Sequence, residues 1–162
     1  MKFAFLVCTL VTFWSLFANE PFVSGQTAEL KLSKFENEVL RLTNEARKKK
    51  NLPPFKVNKS LTIAARAHSA NMAKQRKLAH KLDGKGPDAR VLKAGYNYMV
   101  VGENISQGTY TPKQLLDGWM KSKFHRSNIL DKEFTEVGLG RAKSKAGVYY
   151  YAQVFACPLR LR

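Results

Sequence analysis

The chain is poor in cysteine, histidine and acid. Its 162 residues include 2 cysteines, 3 histidines and 12 Asp and Glu, against 28 Lys and Arg. Cys8 lies in an apolar run near the start, so Cys157 is the lone thiol of everything that follows. One thiol closes no intrachain disulfide, and packing must hold the fold. No histidine lies near Cys157 in sequence to act as its base, so a buried thiol at a strand end is expected. A Gly-x-Ser-x-Gly elbow is absent, so no serine nucleophile carries a local signature. The histidines do not form the i,i+4 pair of a helical zinc site. There is no paired recognition helix, no Cys/His finger and no aromatic strand of the RNA-binding type, so specific nucleic-acid binding is not expected.

The shortage of acid leaves a net charge of +16. Such a balance attracts polyanions: an anionic surface, lipid headgroups or acidic wall and matrix polymers. Lys48-Lys49-Lys50 and the group Arg141, Lys143 and Lys145 are the densest clusters. Taken singly, each is expected to keep the surface solvated rather than to bind a partner.

Residues 1–25 read apart from the rest. A positive start at Lys2 leads into an apolar stretch from Phe3 to Ala18, and small residues follow at Val23-Ser24-Gly25. The stretch is shorter than the roughly 20 residues of a membrane span, and a cleaved secretory signal is expected. Its loss removes Lys2 and Glu20 and leaves the net charge at +16. Residues 26–162 then form one domain, expected to be a monomer, secreted to the extracellular space or periplasm, with no later membrane span.

The pattern within that domain is mixed. Ser33 and Glu36 make a capping box, and Phe35, Val39, Leu42 and Ala46 repeat at helical spacing to about Lys50. Pro53-Pro54 forces an extended connection. A second helix runs from about Ser60 to Lys77, with His68 on its apolar face beside Leu61, Ala64, Ala65 and Met72. A hydrogen-bonded core histidine is the expectation there. Residues 78–87 are loop, and His80 opens it. A short helix over Asp88–Ala94 stops at Gly95, and Tyr96–Ile105 favours strand. Thr111-Pro112-Lys113-Gln114 starts another helix, which turns Leu115, Leu116 and Trp119 inward. Phe134–Ala142 and Val148–Ala156 make an antiparallel hairpin around Ser144–Gly147. Helices first and a hairpin last give an α+β fold.

Two segments carry the chemistry. Gly102-Glu103-Asn104-Ile105 supplies a carboxylate, and His125-Arg126-Ser127-Asn128-Ile129-Leu130 supplies a histidine. His80 lies a similar distance upstream of the first. Two imidazoles and a carboxylate can hold a divalent metal or move a proton.

Together with Leu42-Thr43-Asn44-Glu45-Ala46-Arg47, Leu52-Pro53-Pro54-Phe55-Lys56-Val57, Ser60-Leu61, Trp119, Phe134-Thr135-Glu136-Val137-Gly138-Leu139-Gly140 and Tyr151-Ala152-Gln153-Val154-Phe155-Ala156, these segments make the chain resemble the CAP superfamily. This is the SCP domain of cysteine-rich secretory, antigen 5 and pathogenesis-related-1 proteins. The missing paired cysteines resemble its bacterial branch. The resemblance implies a three-layer α–β–α sandwich with a central antiparallel sheet. It also implies a cleft lined by His80, Glu103 and His125, with these three as metal ligands for Zn or Mg. Two departures stand out. Ser122 occupies the place of a second cleft glutamate, for which Glu136 is the nearest acidic substitute. Phe124 replaces the usual glycine before the histidine, which suggests a reshaped loop.

Three functions follow, one of them that the cationic surface binds polyanions while the cleft is a family relic. The favoured one is a secreted, non-enzymatic binding domain that takes a metal, lipid, cell-wall or matrix ligand in the cleft. The alternative is a metal-assisted hydrolase, peptidase-like, with Glu103 as general base.

Overall fold

The computed structural model describes residues 30–159; the expected signal at 1–25 lies outside the described residues. Nine elements follow one another: α1 (Lys34–Lys48), β1 (Lys56–Val57), α2 (Lys59–Gln75), α3 (Pro87–Lys93), β2 (Tyr98–Gly108), α4 (Pro112–Lys121), α5 (Lys123–Leu130), β3 (Glu136–Lys143) and β4 (Tyr149–Pro158). Both expected capping boxes form. The Ser33 hydroxyl accepts from the Glu36 amide while the Glu36 carboxylate takes the Ser33 amide, and Thr111 and Gln114 repeat the arrangement on α4.

The sheet order is β1-β3-β4-β2. The three long strands are antiparallel, but β1 pairs with β3 in parallel through Lys56–Glu136 and Val57–Val137. The sheet is therefore mixed rather than wholly antiparallel. The exception is a two-residue strand, too short for any alternation to announce it.

Side chains leave the sheet on alternate faces, and each face builds its own core. Tyr150, Ala152, Val154 and Ala156 of β4 pack with Leu61, Ala65 and Met72 of α2 and Val91 of α3. Tyr151 and Phe155 pack on the other side with Val39 of α1, Leu115 and Trp119 of α4, and Ile129 of α5. The three layers are thus α2 and α3, the sheet, and α1, α4 and α5.

Two glycines set the spacing of the first two layers. A Cβ on Gly138 would lie 2.0 Å from the Leu61 carbonyl carbon, and one on Gly140 would lie 2.3 Å from that of Ala65. The backbone of α2 rests directly on β3, which only glycine permits.

On the opposite layer the largest fully buried side chain is a charge, Arg47 of α1. Its guanidinium donates to the carbonyls of Pro53 (2.8 Å), Ile129 (2.9 Å), Asp131 (2.8 Å) and Phe134 (3.3 Å). It also lies 3.7 Å from the centroid of the Phe55 ring. One side chain thereby caps the end of α5 and anchors the turn after α1.

The segment from Lys123 is a helix, not a reshaped loop. Phe124 is absent from the positive-φ residues, so glycine's freedom is not required there, and its ring is 81% exposed. Ser122 ends α4 and begins α5 in extended conformation, joining the two helices.

Candidate functional site

Glu103 and Asn104 are neighbours on β2 and therefore face opposite layers. Asn104 turns toward α5. Its amide donates to the His125 carbonyl at 3.0 Å, and its oxygen accepts from Asn128 at 2.9 Å. Asn128 also donates to the Glu103 carbonyl at 3.2 Å. These bonds fix the helix that carries His125 against the sheet edge. They explain why the two segments belong together.

Glu103 turns toward α2 and α3 and is only 6% exposed. Its Oε1 meets His80 Nδ1 at 2.9 Å, and its Oε2 accepts from Arg90 at 2.7 Å. His68 Nε2 lies 3.7 Å from Oε1. The other arm of Arg90 donates to the carbonyls of His80 (3.0 Å) and Lys85 (2.8 Å), so it holds the His80 loop as well as the carboxylate. A buried carboxylate needs such partners, and here they are a full charge and an imidazole.

The histidines differ. His68 is buried as expected, but neither of its ring nitrogens has a hydrogen-bond partner among the described residues. It is a second imidazole beside the carboxylate, and the Ala79 backbone also reaches its ring. Burial holds its pKa below the ordinary value, with the Glu103 charge opposing. His80 has a 54% exposed side chain and opens to solvent. Burial, and then the charge of His80, hold the pKa of His125 down too.

Glu136 stands elsewhere. It accepts from the Tyr96 hydroxyl at 2.6 Å and from the Asn58 amide at 3.0 Å. Burial and this carboxylate both raise the tyrosine's pKa. Glu136 ties the start of α2 to the turn before β2, and its bonds do not reach the Glu103 cluster.

His68 and Arg90 are the cluster members that sequence reasoning passes over. A histidine on an apolar helix face is a weak signal, and Arg90 has none, since its partner lies on another layer. Behind them a groove of about 370 Å³ opens between α2 and α3, walled by Ala64, Ala67, Leu82 and Ala94.

The fold has counterparts in known proteins. The model of CAP, the cysteine-rich secretory protein family, matches residues 40–157. The chain belongs to the CAP family. Over 119 residues it is 35% identical to YkwD of Bacillus subtilis, a match that spans 73% of this chain and 46% of that protein. An outer surface protein of Borrelia burgdorferi superposes with a TM-score of 0.75 at 18% identity, over 80% of this chain and 97% of the other. An extracellular SCP-domain protein of Bacillus anthracis superposes with a TM-score of 0.68 at 24% identity, over 80% of this chain and 45% of the other. The chain thus spans less than half of both Bacillus proteins. No helix among the described residues is long and apolar enough to cross a membrane.

The CAP cleft can be tested for metal from its donors. Both Glu103 oxygens are already engaged, and Arg90 cancels the glutamate's charge. No group of three His, Cys, Asp or Glu side chains among the described residues converges as a ready ligand set. Magnesium, which demands oxygen ligands, does not fit. An imidazole-seeking metal such as zinc fits better. His80 meets Glu103 through Nδ1 and its side chain is half-exposed, which leaves Nε2 as its ring nitrogen for a ligand.

Proposed function

We propose that this CAP domain is secreted and works as a binding module. Its cleft takes a zinc-type ion through His80 and His125, with Glu103 as the orienting carboxylate behind His80. The observation that carries this reading is the state of Glu103, which is buried and bonded through both oxygens. A general base must be reachable by the proton it takes, and this carboxylate is not. It instead fixes the tautomer and direction of an exposed imidazole, as orienting carboxylates do behind metal-bound histidines. A bound zinc would polarise a ligand oxygen and leave positions open for it. Neutral histidines are required, so uptake weakens as the pH is lowered and the ring nitrogens take up protons.

Calorimetric titration of zinc near neutral pH tests this. Binding should occur with the full chain, vanish in His80→Ala and His125→Ala, and fall about ten- to hundredfold in Glu103→Gln. Absence of zinc uptake by the unaltered protein sinks the metal reading.

One observation favours a second reading. A carboxylate 2.9 Å from His80 Nδ1 is also the orienting half of a general-base pair, with His80 rather than Glu103 as the base. Hydrolysis of casein or wall polymer that disappears in His80→Ala would select it.

A further inference from the structure

The acids of the chain are unevenly placed. Residues 59–82 contain none, and neither do residues 137–162. These two stretches hold α2 and nearly all of β3 and β4, and they pack on each other. The fold therefore gathers these cations into one block, in which Arg66 pairs with Glu36 and Asp83 lies within electrostatic reach of Lys74. At the end of that block, the last turn of α2 and the β3–β4 hairpin frame a groove of about 690 Å³. Lys74 and Arg76 stand on one wall, Lys145 on the other, and Ala73 and Ala142 contribute to the lining. No acidic residue lines it, and none of these cations enters an ion pair among the described residues.

The cationic track continues around the hairpin. Lys143 leans its ammonium over Tyr149, 5.2 Å from the ring centroid, and Arg141 stacks 3.7 Å from the same ring and 4.2 Å from Phe35. The aromatic rings contact these two cations without neutralising them. Arg76 adds a further sign. It caps α2 in the left-handed conformation, φ 54° and ψ 38°, where glycine is the unstrained choice. A charged side chain is kept where the backbone favours none.

We infer that this track, from Lys74 and Arg76 through Lys145 to Lys143 and Arg141, is a docking site for a flexible linear polyanion bearing repeated phosphate or carboxylate groups. Charge complementarity selects an anion, and convergence of unpaired cations around a concavity focuses the field. The shape selects the class. A thin chain can enter the groove and follow the track around the hairpin, whereas a flat lipid surface cannot enter a concavity. Nucleic acid would want a free aromatic platform, and Tyr149 already carries two cations. This site goes beyond the cleft reading and does not depend on it. Glu103 pairs with Val154, five residues along β4 from Tyr149, or roughly 17 Å away.

The test measures binding of labelled inorganic polyphosphate and of poly-glutamate by polarisation, at ionic strength of about 0.1 M. The full chain is compared with Lys74→Ala/Arg76→Gly/Lys143→Ala/Lys145→Ala. A control, Lys48→Ala/Lys49→Ala/Lys50→Ala/Lys132→Ala, removes the same charge elsewhere. The first variant should lose at least about tenfold affinity and flatten the salt dependence, and the control should change less than about twofold. The two probes tell phosphate from carboxylate preference, and tight binding of either supports the site. Equal losses in both variants reduce the effect to net charge and overturn it, as does the absence of polymer binding. Preferential binding to phosphatidylserine vesicles, or tighter binding to single-stranded DNA, overturns it in favour of a membrane or nucleic-acid surface. The single variant Arg76→Gly relieves the left-handed cap and retains the fold, so weaker binding by it cannot be blamed on unfolding.

Discussion

Arg47 and Glu103 are both buried charges that gather several partners, but they choose opposite kinds. Among the described residues Arg47 bonds only backbone carbonyls, which never change protonation state. Glu103 uses its carboxylate on side chains alone, and two of the three around it are histidines. The first arrangement is a fixed clamp. The second is a cluster whose charge and contacts respond to pH and to whatever the exposed His80 meets. Equal burial thus gives a structural residue on one layer and a site residue on the other.

The largest break in this comparison is Arg47→Met. It leaves several carbonyls without a donor and should cost at least about 3 kcal/mol, read as a large drop in the denaturation midpoint. Zinc uptake by the fraction still folded should be unchanged. Glu103→Gln should cost less, about 1–3 kcal/mol, because the amide keeps some of the bonds. Here the ligand readout should move with the stability. If Arg47→Met alters the cleft as strongly as Glu103→Gln, the two charges are not separable.

Acid sharpens the contrast. His68 and His125 have pKa values held down in the fold, so the unfolded chain binds more protons between those values and about 6.5. Stability from this source is complete above about 6.5 and is lost as pH falls through the folded values. Thermal melts across pH should show this slope in the wild type and a shallower one in His68→Gln. Arg47 contributes no slope in that range. A second loss should follow at lower pH. Burial alone would raise the Glu36 pKa, but hydrogen bonds from Arg66 and Ser33 outweigh it and depress the value. Its contribution is present above about 4.3 and disappears as pH falls through the depressed pKa, a loss that Glu36→Gln should abolish.

The smallest change is a gain. Arg76→Gly should raise stability by about 1 kcal/mol by relieving the left-handed cap. A loss instead would mean that the side chain does structural work in the fold.

The elements most legible in sequence were those with local chemistry. Ser33 and Glu36, and Thr111 and Gln114, announce their helices because a capping box is complete within four residues. Helix α5 escaped because Ser122 makes no side-chain cap and little apolar repeat follows it. The parallel β1 escaped because a two-residue strand has no period. At the site, His80, Glu103 and His125 stood out as scarce imidazoles around a carboxylate, and family resemblance grouped them into one cleft. The Arg90–Glu103 pair joins a helix to a strand across a layer boundary, and no local rule reaches across it. Glu136 looked available because sequence does not show that Tyr96 and Asn58 already hold it.

The glycine stripe of β3 has a mechanical consequence. With Leu61 and Ala65 resting backbone to backbone on Gly138 and Gly140, no side chain separates α2 from β3 at those two points. Helix α2 is soldered to the strand rather than cushioned on it, so it behaves as a stiff beam. His68 rides at the middle of that beam and Lys74 at its end. A single methyl added under it would lift both together, shifting a histidine at the cleft and a cation at the groove in one movement.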